Sequence, residues 1–333
     1  MKYISTLFLL CTLSTLGQEL PWYKNKETIR GHIYKNVSVP AINAFQSIQS
    51  KISSALTMTT SYVNKDIFQK KITSIESEFT KIENALRSQE HKAIDSIFRK
   101  NELDESTIPF CFDILHDLKK FGKEYMNKPE PNIHHDTTIP AELSAMLTTC
   151  LKRDNINPDS INIIDKRDDE KLQKEVFEDA ITMAPYHNWS VKEGQLVIHK
   201  EQPHFYGFIA LLPKLKKITS VDEEEAILTH ECEHIKEQHS TTCGAIKSCL
   251  YRLTDDYNEE QLLNSPEWHH LINIHEQQAE VFPSLRDPHI ASLMRKMRAE
   301  HHYTGMLYEE HYNKLSNIDE IWKQLAWLNK QMK

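Results

Sequence analysis

The chain has 333 residues, a formal net charge of −8, 39% hydrophobic and 26% charged residues, and only 7 glycines. That length admits two domains or one domain with a long extension, and the composition is that of a globular protein with a real core. The acidic balance speaks against a nucleic-acid binder, which carries a basic face, and neither G-x-x-x-x-G-K nor G-x-G-x-x-G occurs, so those phosphate-cradling loops are excluded.

Residues 1–17, MKYISTLFLLCTLSTLG, carry one lysine and then an apolar stretch from Tyr3 to Leu16. The stretch is too short, and too interrupted by Ser and Thr, to span a bilayer. It predicts a secretory signal peptide cut before Gln18, with Thr15 and Gly17 as the small residues at −3 and −1. The expected protein is exported, periplasmic or extracellular, with no transmembrane segment in the mature chain. Export implies an oxidising compartment for Cys111, Cys150, Cys232, Cys243 and Cys249, an odd set that leaves at least one thiol free. Cys243 and Cys249 are near enough in sequence to close a small loop, and Cys232 is the expected free thiol. No C-x-x-C pair is present, so a cysteine-based zinc site is not expected.

Residues 18–136 read as helical and polar. Phe68, Ile72, Ile75, Phe79, Ile82 and Leu86 repeat at 4-3-4-3-4, an a/d stripe too short for a free coiled coil and suited to a helical hairpin or a helix packed on a neighbouring domain. NKPEPNIHHDTTIP, Asn127 to Pro140, holds three prolines and reads as a linker, with His134 and His135 exposed in it. From Ala141 the texture changes. AELSAMLTTCLKR predicts an amphipathic helix, INIID and GQLVIHK two short strands, and FYGFIALLPKLKK an apolar helix. VDEEEAILTHECEHIKEQH follows, with Asp222 as the candidate N-cap and Glu223 to Glu225 favourable at the positive end of the helix dipole. The strand around Leu196 to His199 is a candidate edge for an extended substrate.

The chemistry-bearing stretch is THECEHIKEQH, Thr229 to His239. On a helix His230 and His234 are i and i+4, with Cβ atoms about 6 Å apart on one face, a spacing that lets two imidazoles share one zinc ion. Glu231 lies about 100° around the helix, where it reaches a water rather than the metal, as a general base must. A catalytic zinc site needs a third protein ligand and an open position. Glu276, in INIHEQQAEVF, is the favoured third ligand; Asp255, His269, His270 and His275 compete with it. Glu280, one turn beyond, is placed to accept the free N–H of a ligand histidine. His239 and Glu233 are expected to face away from the metal.

These residues resemble the integral-membrane CAAX-prenyl-protease and HtpX-like family of zinc metalloproteases, of the gluzincin type, and especially its soluble secreted or periplasmic members. The resemblance is carried by Leu211-Leu212, the acidic start Val221 to Leu228, the H-E-x-x-H of His230 to His234 with His239 five residues on, and Glu276-Gln277-Gln278-Ala279-Glu280 in place of E-x-x-A-D. The stretch His311 to Leu328 is similar to the family's closing helix. Coverage runs from about Ala141 to the C-terminus. Three positions depart from the pattern: Glu233 stands where a small residue is usual, Glu280 where Asp is usual, and Val281 where a basic residue is common.

The resemblance implies a zincin-like catalytic domain over 140–333 with a small sheet and the HExxH helix; with the helical N-terminal region read over 18–136, the expected class is α+β, mainly helical. The resemblance also implies one zinc ion, a protein or peptide substrate, and hydrolysis in which zinc activates a water and polarises the scissile carbonyl while Glu231 moves the proton. His301, His302, Tyr303, His311 and Tyr312 are the downstream candidates for oxyanion donor, and the sequence does not choose among them. The alternative is a catalytically degenerate zinc-binding or helical interaction protein of the same fold. Oligomeric state is left open.

Overall fold

The computed structural model of the chain describes residues 65–130, 132–175, 179–192, 195–199, 206–218, 220–300 and 306–332. The expected signal peptide, His301, His302, Tyr303 and the side chain of His311 lie outside the described residues. The described helices are α1 (Lys65–Lys100), α2 (Ile108–Met126), α3 (Ala141–Arg153), α4 (Glu170–Glu175), α5 (Val221–Glu237), α6 (His239–Leu253), α7 (Glu259–Leu263), α8 (Pro266–Arg286), α9 (Pro288–Glu300) and α10 (Met306–Met332). The strands are β1 (Asn162–Asp165), β2 (Ala180–Met183), β3 (Trp189–Lys192), β4 (Gln195–Ile198) and β5 (Phe208–Leu211). The class is α+β and mainly helical. Among the described residues no helix is long and apolar enough to cross a membrane.

The sheet is small. β5 sits in the middle, parallel to β1 with Ile163 opposite Ile209, and antiparallel to β2 with Thr182 opposite Ile209. β3 and β4 form a separate antiparallel pair, in which Leu196 and Ile198 of β4 pack partly buried against the core. The linker is more ordered than its prolines suggest: His135 bridges to Ile163, and the Asp136 N–H donates to the Ile163 carbonyl at 2.9 Å. His134 and His135 are both exposed.

FYGFIALLPKLKK is not a helix. Phe208 to Leu211 form the central strand, and a single 3₁₀ turn, Leu215–Lys217, follows Pro213. A strand hydrogen-bonded on both edges and buried loses the polar alternation that marks a strand, so a short apolar run of this kind reads equally as helix. Ile209 and Leu211 are fully buried. The cap of α5 also differs: the Ser220 hydroxyl accepts from the Glu223 N–H, and Asp222 lies inside the first turn.

Helix α5 is the centre of the molecule, packing against α3, β2, α8 and α9. Leu228, Cys232 and Ile235 bury their side chains with Leu147 and Leu151 of α3 and Ile209 of β5. The helices before the linker share a second core with the helices after it. Ile94, Ile97 and Phe98 of α1 and Ile114 and Leu118 of α2 pack with Leu250 of α6 and Trp268 and Leu271 of α8. The a/d stripe of α1 is explained by two partners: Ile72 meets Ile321, Leu325 and Leu328 of α10, and Leu86 meets Phe282 and Leu285 of α8. Each such fully buried side chain contributes about 1.5–3 kcal/mol.

Cys232 is a free thiol as expected, and the expected Cys243–Cys249 loop is not closed. All five described cysteines are free and buried. Cys243 and Cys249 lie on the one helix α6, where six residues of rise hold them about 9 Å apart, too far for a disulfide. Cys249 instead hydrogen-bonds Cys111 of α2, and Cys232 hydrogen-bonds Cys150 of α3. Cys243 lies 3.9 Å from His275 Nδ1.

Candidate metal centre

Helix α5 delivers His230 and His234 from one face, and α8, which begins at Pro266 under a Ser265 cap, brings Glu276 across from the opposite side. The ligand atoms converge. His230 Nε2 lies 2.9 Å from His234 Nε2, and the Glu276 carboxylate lies 3.3 Å from His230 Nε2 and 3.6 Å from His234 Nε2. Among the described residues these three are the one group that could hold a metal ion, with their ligand atoms all within 4.8 Å of one another. The competing ligands do not join them. Asp255 and Asp256 are exposed in the turn after α6; His269 and His270 lie in the first turns of α8, not in a separate turn; His275 points toward Glu90 at 3.5 Å.

Burial sets the charge state. The His234 side chain is 4% exposed, and burial holds its pKa far below the ordinary histidine value, so the ring is neutral. Burial pushes the Glu276 carboxyl up, but His234, His230 and Arg298 outweigh it and bring its pKa down to about 2. Neutral imidazole and ionised carboxylate are the forms that bind a divalent cation. His230 and Glu276 keep more exposure, 12% and 18%, so the open side of the cluster lies there.

Glu231 is 7% exposed and accepts a hydrogen bond from the Thr182 hydroxyl of β2 at 2.9 Å. The small sheet thus bears directly on the HExxH helix: its edge strand β2 holds the Glu231 carboxylate through Thr182. Thr182 carries no motif and is invisible to a sequence scan.

Glu280 is fully buried, and its carboxylate is ion-paired with Arg298 of α9. This ion pair draws α9 against α8. Val281 is 2% exposed in an apolar cluster, which accounts for the absence of a basic side chain there. Glu233 is fully buried and ion-paired with Arg286 of α8, so it is structural rather than a bystander.

His239 is the largest correction. An uninterrupted helix would put it about half a turn from His230. Instead Gln238 takes left-handed φ 56° and ψ 47°, α5 stops, and α6 starts at His239. The corner folds the His239 ring back so that its Nδ1 lies 2.7 Å from His234 Nδ1. On its other side His239 Nε2 meets Gln278 Oε1 at 2.8 Å. Left-handed backbone is unfavourable for a side chain with a Cβ, and here it is held from outside: Gln238 Nε2 donates to the Lys119 carbonyl of α2 at 2.6 Å. Gly122 makes room, since a Cβ there would stand 2.5 Å from Gln238 Oε1.

Searches against protein-family models, curated proteins and solved structures find no match to this chain.

Proposed function

We propose that this chain is an exported zinc-dependent endopeptidase with a zincin-like catalytic unit. The observation that carries the reading is the convergence of His230 and His234 of α5 with Glu276 of α8, with Glu231 next to His230 in the chain and held by Thr182 of β2. Two imidazoles and one carboxylate suit zinc better than a hard oxygen-seeking cation. Three protein donors with a more exposed side also match a catalytic site, which keeps one position open, rather than a closed structural one.

When bound, zinc would supply polarisation of the scissile carbonyl and acidification of a water. The residues of the chain do the rest. Glu231 accepts the proton of the attacking water and returns it to the leaving amine, with Thr182 restricting the carboxylate to a useful orientation. His234 stays neutral because it is buried, and Glu276 stays ionised. The substrate class is a peptide or protein, and the N-terminal residues 1–17 support passage through an export pathway.

The test uses the purified mature chain, metal analysis and a mixed peptide library with and without a chelator. Glu231→Gln should keep zinc while hydrolysis falls by about 10²–10⁴-fold, the usual share of general acid–base catalysis. His230→Ala, His234→Ala and Glu276→Ala should each lose or loosen the metal. A chain that binds no zinc sinks the proposal; one that binds zinc and cleaves nothing is the degenerate zinc protein instead.

A further inference from the structure

We infer that the N-terminal helices prepare the metal centre: Glu90 of α1, anchored by Lys119 of α2, sets the direction of a buried hydrogen-bond chain through Gln278 and His239 that leaves the lone pair of His234 Nε2 facing the metal. The inference rests on the metal reading above, and not on peptide hydrolysis.

The chain is continuous. Lys119 Nζ donates to Glu90 Oε1 at 3.2 Å, Gln278 Nε2 donates to Glu90 Oε2 at 3.1 Å, Gln278 Oε1 meets His239 Nε2 at 2.8 Å, and His239 Nδ1 meets His234 Nδ1 at 2.7 Å. Glu90, Gln278, His239 and His234 are 7%, 0%, 2% and 4% exposed, so water does not compete with these bonds. His239 is further held by stacking on His275, with ring centroids 4.2 Å apart.

Its direction follows from the donor and acceptor inventory. An ionised carboxylate only accepts. Gln278 must therefore turn its amide N–H toward Glu90 and its carbonyl toward His239. A carbonyl only accepts, so His239 carries its proton on Nε2 and has a lone pair on Nδ1. That lone pair can only accept, so His234 carries its proton on Nδ1. The remaining nitrogen of His234, Nε2, is then a lone pair, and it is the one beside His230 and Glu276. Reversing any one link would put a proton on His234 Nε2 and block the site. Glu90 is a firm anchor: burial raises its pKa, but Lys119 and His275 outweigh that and leave the carboxyl below its usual range.

His239, Gln278 and Glu90 are thus positioning residues, and their test reads tautomers and metal affinity. In the metal-free full chain labelled with ¹⁵N-histidine, His234 should be the Nδ1–H tautomer and His239 the Nε2–H tautomer. Glu90→Gln keeps the shape but lets the anchor donate as well as accept, so both rings should show mixed tautomers. Its affinity for Zn²⁺ and Co²⁺ should fall by about tenfold, the lower end for an outer partner of a ligand histidine. His239→Phe keeps the ring stack and removes the chain, and should cost up to about 100-fold. If that variant fails to fold, the tautomers of the unaltered chain and Glu90→Gln still decide. No metal binding by the unaltered chain refutes the metal centre itself. Metal binding with His239 as the Nδ1–H tautomer, or with affinity unchanged in folded Glu90→Gln and His239→Phe, refutes the chain alone.

Discussion

Thr182→Val isolates the contribution of the sheet to the candidate active site. The hydroxyl of Thr182 is 2.9 Å from Glu231 Oε2, and both residues are nearly inaccessible to water, 2% and 7% exposed. Valine fills almost the same volume and removes only the donor. A hydrogen bond to a charged acceptor is worth about 1.5–3 kcal/mol, and its loss in a buried place is not made good by solvent. The bond acts by fixing the orientation in which Glu231 meets the water, and a misplaced reacting group costs up to about 10²-fold, so kcat should fall by about 10- to 100-fold. The metal ligands lie on α5 and α8 and do not touch Thr182 through this bond, so zinc content should stay at the unaltered level. The assay is steady-state peptide hydrolysis with metal analysis and a thermal melt on the same sample. A variant that keeps zinc and hydrolyses at the unaltered rate refutes the role given to Thr182. A variant that loses zinc and activity together shows that β2 supports the metal site as a whole and not the base.

Gly122→Ala should destabilise the fold by about 1–3 kcal/mol, because its methyl would stand 2.5 Å from Gln238 Oε1 at the left-handed corner; an unchanged melting temperature would show that the corner does not need that space. Arg87 donates to Glu237 at 2.8 Å, and Arg87→Met leaves that buried carboxylate without its cation. A broken buried pair costs about 3–5 kcal/mol, discounted here to about 2 because the Arg87 side chain is partly exposed. Burial raises the pKa of Glu237, but the Arg87 hydrogen bond and charge outweigh it, so the folded-state value lies below the ordinary one. The stabilisation is therefore present above the unfolded-state pKa and lost as pH falls through the folded value: the melting difference between the two chains should be full near neutrality and shrink in acid. A difference that grows in acid contradicts the sign. Finally, a two-electron thiol oxidant such as diamide, applied to the folded chain, should link Cys111 to Cys249 and Cys150 to Cys232; peptide mapping that finds Cys243 joined to Cys249 would contradict the helix that separates them.

Much of the site was legible because it is local. Two histidines four apart on a helix share a face whatever surrounds them, and the acidic run at Asp222 to Glu224 marks a helix start for the same electrostatic reason in any fold. The stripe from Phe68 to Leu86 could be read as one buried face, though not what buries it. What the sequence could not hold is pairing across the chain. The apolar run at Phe208 became a strand because β1 and β2 flank it, and no periodicity records that. The choice of Glu276 over His269, His270 and His275 depends on how α8 crosses α5. The position of His239 turns on one left-handed residue, Gln238, whose conformation is stabilised by the Lys119 carbonyl more than a hundred positions away. Glu90, Lys119, Thr182 and Gln278 bear no motif at all; buried hydrogen-bonding groups must find partners, and only the packed structure decides which ones.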